Sequence, residues 1–478
     1  MLVVDATPPQ TMLESFLTKA GEAHQRGDRS LAIKLYSRAL IIDPDSVGAL
    51  NNLAILLAES GNWSVAKAYA WRGAIQCDEG TLPWANLAAM MVRTEEYDAA
   101  RAIFERMVLN HPNDMPRLWQ DLAQSCMPSD QPRALQCFSH AVRLAPNDPI
   151  FRQNFALQQL TMHDWDAGFA NWRNSGIDTT VDPNFVTCPE WRGESLEGRT
   201  IVIYHEQGFG DTIQFCRFLR LLDAKRVILA VPSPLVRLLE TSGIADTVVD
   251  FADPLPPDVD CQCPLMFAWA YRSIVPSLAE RQTVPYLKVP ERGPRVHRAE
   301  NTLLMVGICW AGNPIYGTDE LRSMQLNHLL PLTSIPGVQF VSLQKGLRAG
   351  DVSSLGADLL IRDLSGQIGD LADVAYVIDK MDLVASVDTA ALHLAGALGK
   401  PTIAMLPYNR CWRWGRGTDE TPFYPTMKLV TQPKPKDWGS VVNEVHRTIT
   451  EMIGDRRIPP EPQTNYERLE VPFRIEAR

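Results

Sequence analysis

Two loops in this chain carry residues whose types and spacing could do chemistry. The first is His205-Glu206-Gln207-Gly208-Phe209-Gly210-Asp211. Gly208 and Gly210 let the backbone turn tightly and come close to a ligand. Asp211 opens a helix predicted over Thr212–Leu222. There its carboxylate serves either as an N-cap or as a general base that takes a proton from an attacking hydroxyl. The G-x-G-x-x-G spacing of the dinucleotide fingerprint is absent. The second loop lies in Ser386–Pro401, SVDTAALHLAGALGKP. An apolar run, Met381–Ala385, reads as a buried strand, and Asp388 and Thr389 offer N-cap oxygens to a short helix of small residues. Gly399 stops that helix, and a strand over Thr402–Leu406 follows Pro401. The turn aims the backbone N–H groups near Thr389 and Ala390, with the positive helix end, at one point. That suits a phosphate, although the same segment also fits a crossover that binds nothing. His393, one turn beyond Thr389, shares its face. It either donates a hydrogen bond to a phosphate or sugar, or is a core histidine satisfied by backbone. Asp388 is better placed for a cap or a ribose hydroxyl than for phosphate, since like charges repel.

Further residues stand at the ends of other predicted strands. Gly307–Pro314, with Asn313, closes the run Leu303–Trp310, and Arg322 follows. Gln344 and Lys345 end Val338–Leu343. Fixed positive charge from Arg322 and Lys345, set against the helix start at Thr389, would stabilise a departing diphosphate.

Positioning these loops requires alternating strands and helices. Strands are expected at Thr200–Tyr204, Val227–Val231 and Thr247–Val249, with a helix at Pro234–Ser242. A second set runs through Leu303–Trp310, Val338–Leu343, Leu359–Ile361, the Leu371–Lys380 helix, Met381–Ala385 and Thr402–Leu406. A helix at Trp438–Ile453 closes it. Such alternation implies parallel sheets, whose ligands bind beyond the carboxyl ends of the strands. A Pro-rich stretch, Pro285–Pro294, reads as a hinge between two lobes.

The N-terminal third has a different period. Alanines stand at 32, 66, 100 and 134, a spacing of 34, and Ala20, Ala54, Ala88 and Leu122 keep the register. Gly27 and Gly61 share it, as do Ala39, Gly73, Met107 and Ala141, and Pro44, Asp78, Pro112 and Pro146. A period of 34 with helix-turn-helix patterning marks tetratricopeptide repeats. Glu95 and Asp78 depart from the usual glycine and proline. Asn154–Ala156 and Trp165, Gly168, Phe169 and Trp172 fit a degenerate fifth unit that caps the array. The groove of such an array binds a peptide or protein, unless the array is a spacer or dimerisation arm.

Composition bounds the classes. The 478 residues are 45% hydrophobic with a net charge of −10, which fits a globular chain and argues against a general nucleic-acid binder. The start, MLVVDATPPQ, lacks a signal peptide, and no apolar run is long enough for a transmembrane segment. Nine cysteines are scattered. Cys261 and Cys263 alone lie close together, a weak metal signal, so all nine are expected as reduced thiols in a cytoplasmic protein.

The segments HEQGFGDTIQFCRFL, VGICWAGNP, LRSMQL, GVQFVSLQKG, DLADVAYVIDKMDLVASVDTAALHLAGALGKP and CWRWGRG with TPFYPTMKL resemble bacterial tetratricopeptide-repeat glycosyltransferases. Their catalytic region is similar to the heptosyltransferases (family 9-like) and, more distantly, to protein O-GlcNAc transferases. The resemblance implies an α+α/β fold: an N-terminal α-solenoid of tetratricopeptide repeats, then a two-lobed GT-B (double Rossmann-like) glycosyltransferase. The expected divisions are four repeats over 11–146, the capping repeat and linker over 147–199, an acceptor-side lobe over 200–290, a donor-side lobe over 300–455, and a tail over 456–478. It implies metal-independent transfer of a sugar from a nucleotide-sugar substrate, with no cofactor. Asp211 matches the catalytic aspartate of the family's Gly-Asp motif, and Asn313, Arg322, Gln344, Lys345, Asp388, Thr389, Ala390 and His393 make up the expected donor-binding set. The acceptor is expected to be a protein recruited by the repeats, such as flagellin or another surface protein. The alternatives are a glycan- or lipopolysaccharide-directed transferase, and a repeat scaffold with an inactive transferase region. Glu206-Gln207 and the repeats both depart from the heptosyltransferase pattern.

Overall fold

The computed structural model describes residues 9–78, 82–110, 115–176, 188–271, 283–315 and 319–455. Pro112, residues 177–187 of the expected linker and the tail from 456 lie outside the described residues.

Among the described residues, ten helices between Pro9 and Arg173 run as antiparallel pairs. The period of 34 has a direct physical basis. Ala20, Ala54, Ala88 and Leu122 are fully buried, and so are Ala32, Ala66, Ala100 and Ala134. A methyl side chain at each of these points lets paired helices approach closely. The residues before each second helix also repeat: Asp28, Asn62, Glu96, Asp130 and Asp164. In every case the carbonyl accepts the first helical N–H, from Ala32, Ala66, Ala100, Ala134 and Gly168. The fifth pair, Pro149–Thr161 and Trp165–Arg173, therefore keeps the register of the other four.

The turn inside each repeat explains one departure from the pattern. Gly27 (φ 78°) and Gly61 (φ 80°) are left-handed, and Glu95 (φ 66°) and His163 (φ 64°) adopt the same conformation at the equivalent places. A side chain costs roughly 1 kcal/mol or more there. At His163 that cost is offset by stacking on Trp165, with centroids 5.2 Å apart.

Two parallel sheets follow. β1 (Thr200–Tyr204), β2 (Arg226–Val231), β3 (Thr247–Asp250) and β4 (Cys261–Pro264) are ordered β3-β2-β1-β4. β5 (Leu304–Cys309), β6 (Val338–Ser342), β7 (Ile361–Asp363), β8 (Leu383–Val387), β9 (Thr402–Leu406) and β10 (Met427–Thr431) are ordered β10-β9-β8-β5-β6-β7. Both sheets start from the doubly wound pattern, in which the order reverses beside the first strand. The switch points lie between β1 and β4 and between β5 and β8. The fold is thus a helical-repeat solenoid followed by two Rossmann-like lobes.

Several expectations shift. The helix after the first glycine loop spans Phe209–Phe215 and continues as a 3₁₀ turn over Cys216–Leu221, so it begins three residues before Thr212. The strand expected at Met381–Ala385 is Leu383–Val387, because Asp382 turns back to accept the Met305 N–H at 2.7 Å. Strand β10 was not foreseen. Cys261 and Cys263 lie on β4, paired with Ile201 and Ile203 of β1, and both are fully buried. They are core residues of a strand. Tyr286, in the stretch expected as a hinge, instead ties the lobes together: its N–H donates to Ala397 O (3.1 Å) and its hydroxyl to Ile213 O (2.8 Å). One continuous apolar core runs through both lobes and into the fifth helix pair.

Candidate active site

The helix Phe209–Phe215 leaves the carboxyl end of β1, and the helix Ala390–Ala397 leaves the carboxyl end of β8. These are the switch-point strands of their sheets, and the two helices pack on each other. Two crevices of the kind that bind ligands in parallel sheets are therefore brought together.

Gly210 is the point of closest approach. A Cβ on it would lie 2.6 Å from His393 Cδ2, so only glycine admits the second lobe here. Asp211, next in sequence, is the third residue of its helix, and Gly208 is the N-cap. Its Oδ2 accepts the Gly208 N–H at 2.9 Å. Its Oδ1 accepts from Arg413 Nη2, across the lobe boundary. Both side chains are withdrawn from water, at 17% and 10% exposure. Burial opposes the Arg413 charge, but the Asp211 carboxylate outweighs it and holds the guanidinium well above its ordinary range.

Arg413 is held in turn. Its guanidinium lies over the Trp412 ring, 4.5 Å from the centroid, and its Nη1 is 3.1 Å from Cys411 Sγ. Trp412 is caged by aromatic rings of the fifth helix pair, with Trp165, Phe169 and Trp172 centroids at 6.0, 6.2 and 6.3 Å. A chain of contacts thus joins the end of the solenoid to Asp211. The sequence reading gave Arg413 no role. The signal available was the density of Trp and Arg in CWRWGRG.

The second loop differs from expectation in its details. Thr389 is the N-cap, and its side chain makes no cap hydrogen bond. Its hydroxyl lies 3.0 Å from Ser386 Oγ. Asp388 does not cap. Its carboxylate stands 3.7 Å from His393 Nε2. Burial raises its pKa, but the neighbouring His393 ring prevails and holds it below the ordinary carboxylate range. His393 is 4% exposed, its Nδ1 is 2.9 Å from Tyr424 Oη, and its ring stacks on Trp414 at 5.1 Å. Both ring nitrogens thus face protein groups, and His393 acts as the wedge between the lobes.

The remaining residues divide. Arg322 is ion-paired with Asp319 at 2.9 Å, and both press on Gly312 at the end of β5. Arg322 thus stands beyond the carboxyl end of β5, the strand that pairs with β8 at the switch point. Gln344 is buried and fully used within the loop: its Oε1 accepts the Trp310 and Ala311 N–H groups at 3.1 and 2.9 Å, and its Nε2 donates to Ala311 O at 2.8 Å. It shapes the strand end without reaching outward. Lys345 Nζ donates to Ser365 O and Ile368 O, both at 2.8 Å, and so tethers the loop ahead of the helix Leu371–Asp379. Asn313 closes a local turn on the Ile315 N–H at 3.1 Å. Glu206 reaches from the end of β1 to accept the Met266 N–H beyond β4 at 2.7 Å, which pins the first switch point. Among the described residues, no group of three or more His, Cys, Asp or Glu side chains could hold a metal ion. No described helix is long and apolar enough to cross a membrane.

His205 gives the site a pH signature. Its Nδ1 lies 2.5 Å from Thr212 Oγ1, and Phe209 and Phe251 flank the ring. Burial pushes its pKa down to about 4, against the opposing pull of Asp211. The unfolded chain takes up this proton near pH 6.5, so between these limits the unfolded state holds more protons and stability rises with pH. The contribution is full above that upper limit. It should be lost as pH falls toward the lower one, by up to about 3 kcal/mol in total. Urea unfolding from pH 7 downward measures it, and His205→Asn should flatten the slope.

Comparison with known proteins places the second loop in a family segment. Residues 356–423 match the model of glycosyltransferase family 9 (heptosyltransferase). That span holds the helix Leu371–Asp379, β8, the helix Ala390–Ala397, β9 and Arg413. The chain is 22% identical over 466 residues to Protein FlbA of Caulobacter vibrioides, covering 87% of this chain and 74% of that protein. Among solved structures, MamA of Desulfovibrio magneticus RS-1 is 14% identical with a TM-score of 0.32, over 34% of this chain and 93% of its own. PilF of Pseudomonas aeruginosa is 15% identical with a TM-score of 0.32, over 36% and 80%.

Proposed function

We propose that this chain is a metal-independent glycosyltransferase of the GT-B type, which moves a sugar from a nucleotide-sugar donor to a hydroxyl on a protein acceptor. The family 9 segment supports a glycosyltransferase. The observation that carries the site is the meeting of Asp211 with Arg413 where the helices leaving β1 and β8 pack together. In this reading the acceptor oxygen attacks the anomeric carbon and its proton passes to Asp211. The bond from that carbon to the phosphate oxygen breaks, and its electron pair leaves with the nucleoside diphosphate. The first N–H groups of the helix Ala390–Ala397 and the nearby Arg322 receive the developing negative charge. Arg413 and the Gly208 N–H fix the two carboxylate oxygens of Asp211, which leaves lone pairs for the proton. In this reading the protein acceptor, a flagellin or another surface protein, is presented by the repeat solenoid, whose last helices contact the loop that carries Arg413.

A thermal-shift screen of UDP, GDP, ADP and CMP, and their sugars, tests the donor side, with and without EDTA. A ligand at a hundredfold its Kd should add about 2.7 kcal/mol of stability. One nucleotide is expected to raise Tm in both conditions. If none does, the repeat scaffold with an inactive transferase region becomes the better reading. A shift abolished by EDTA would overturn metal independence alone.

A further inference from the structure

The loop Tyr408–Asp419 bridges β9 and β10 and passes the turn of the fourth helix pair of the solenoid. Between them lies a pocket of about 650 Å³, lined by Ser129 and Gln131 on one side and Tyr408, Arg410, Arg416 and Thr418 on the other. Asp388, Thr389 and Asp211 do not line it, so it is separate from the crevice described above.

Two guanidinium groups meet here without counter-charge. Arg410 is 5% exposed. It donates through Nε to Gly415 O at 2.6 Å, through Nη1 to Thr431 Oγ1 at 2.8 Å, and through Nη2 to Thr418 O at 3.0 Å. Arg416 donates through Nη1 to Tyr408 O at 2.8 Å, and through Nη2 to Arg410 O at 2.9 Å and to Asn409 Oδ1. Every one of these acceptors is neutral. Among the described residues, no carboxylate forms an ion pair with either group. Asp419, also on the lining, is exposed and pairs with neither. Arg416 Nε is buried with no partner. Burial pushes both pKa values down to about 10, and the charge of Arg410 pushes Arg416 in the same direction. Two like charges, one buried and one half-buried, with the Arg416 Nε donor unpartnered, are costly unless an anion joins them.

We propose that this pocket binds a phosphate-type dianion, free or as part of a phosphorylated small molecule, with Arg410 and Arg416 as its ligands. Two planar guanidinium forks match the oxygens of a phosphate or diphosphate in geometry and in charge. The cavity is larger than one phosphate, which leaves room for a second phosphate or an attached group. Ser129 adds a hydroxyl from the solenoid; its oxygen accepts from Arg101 Nη1 at 3.2 Å, so its proton remains available to donate. The same loop carries Trp412 and Arg413, so the anion would stiffen the support of Asp211 and clamp the solenoid to the second lobe.

The test is a titration of the full chain with inorganic phosphate, pyrophosphate and acetate at constant ionic strength, read by calorimetry and by Tm. Phosphate and pyrophosphate are expected to bind and raise Tm, and acetate to do so far less. Thr431→Asp sets a carboxylate beside Arg410 Nη1, and Arg416→Gln removes one charge. Each should weaken phosphate binding by about tenfold or more, the worth of a charge-assisted hydrogen bond. Thr431→Asp should keep a Tm at or above that of the wild type, so it carries the test if Arg416→Gln does not fold. Arg322→Gln, in the other crevice, should leave the phosphate response intact. The proposal is overturned if phosphate does not bind, if both junction variants respond as wild type, if acetate matches pyrophosphate, or if Arg322→Gln abolishes the response.

Discussion

Asp211→Asn is expected to lower the transfer rate about 10²- to 10⁴-fold, the range of a lost general base. The amide has the shape of the carboxylate and can still accept the Gly208 N–H that meets Oδ2 at 2.9 Å. It cannot take a proton from the acceptor. The loss should fall on kcat and leave the KM for the donor little changed, because in the proposed reading the donor is held by the other lobe. The exchange also strips Arg413 of its counter-charge, so the folded fraction must be read in the same sample by near-UV circular dichroism. Arg413→Met is the comparison. It unpairs the same ion pair but keeps the carboxylate, so its rate per folded molecule should fall less. A rate within about tenfold of wild type for folded Asp211→Asn would remove Asp211 from the role of base.

The ion pair itself carries the second large effect. Breaking a buried pair by removing one partner strands the other charge, at a cost of about 3–5 kcal/mol. Asp211→Asn and Arg413→Met should each approach that loss in urea unfolding, since both side chains are largely withdrawn from water. The double variant strands neither charge. It should be less destabilised than the sum of the singles, with a coupling of about 1–3 kcal/mol. Strict additivity would mean that the pair does not hold the lobes together. The geometry predicts coupling because the contact does not stand alone. A second contact also crosses the lobe boundary: Arg217 Nη1 donates to Phe423 O at 3.0 Å, and the Arg217 guanidinium lies 3.9 Å from the Tyr286 ring centroid.

Legibility in the sequence followed the range of the interaction. The repeat register was readable because each buried alanine is dictated by contacts within one helix pair, and it persists even where Glu95 and His163 take the place of glycine. Strands β1, β2, β5, β6 and β9 were readable as short apolar runs. β4 was not, because Cys261–Pro264 is only four residues long and holds no run of branched apolar side chains. At the site, the glycine loop and the helix start at Thr389 were visible as local turn signals. The partners of their side chains were not. Asp388 was expected to cap or to meet a ribose, and it faces His393. Lys345 and Gln344 were expected to face the donor, and they hold backbone carbonyl and N–H groups of their own lobe.

The sequence by itself determined that a 34-residue repeat precedes two α/β units, and that Asp211 and the Thr389 helix start sit at strand ends. Those features depend on periodicity and on turn chemistry a few residues long. Only the tertiary structure decided that the two strand ends meet. It made Gly210 the contact for His393, gave Asp211 a buried partner in Arg413 some 200 residues away, and set Trp412 among the rings of the last helix pair. Charge pairing and aromatic packing act through space, and a residue's neighbours in space exist only once the chain has folded.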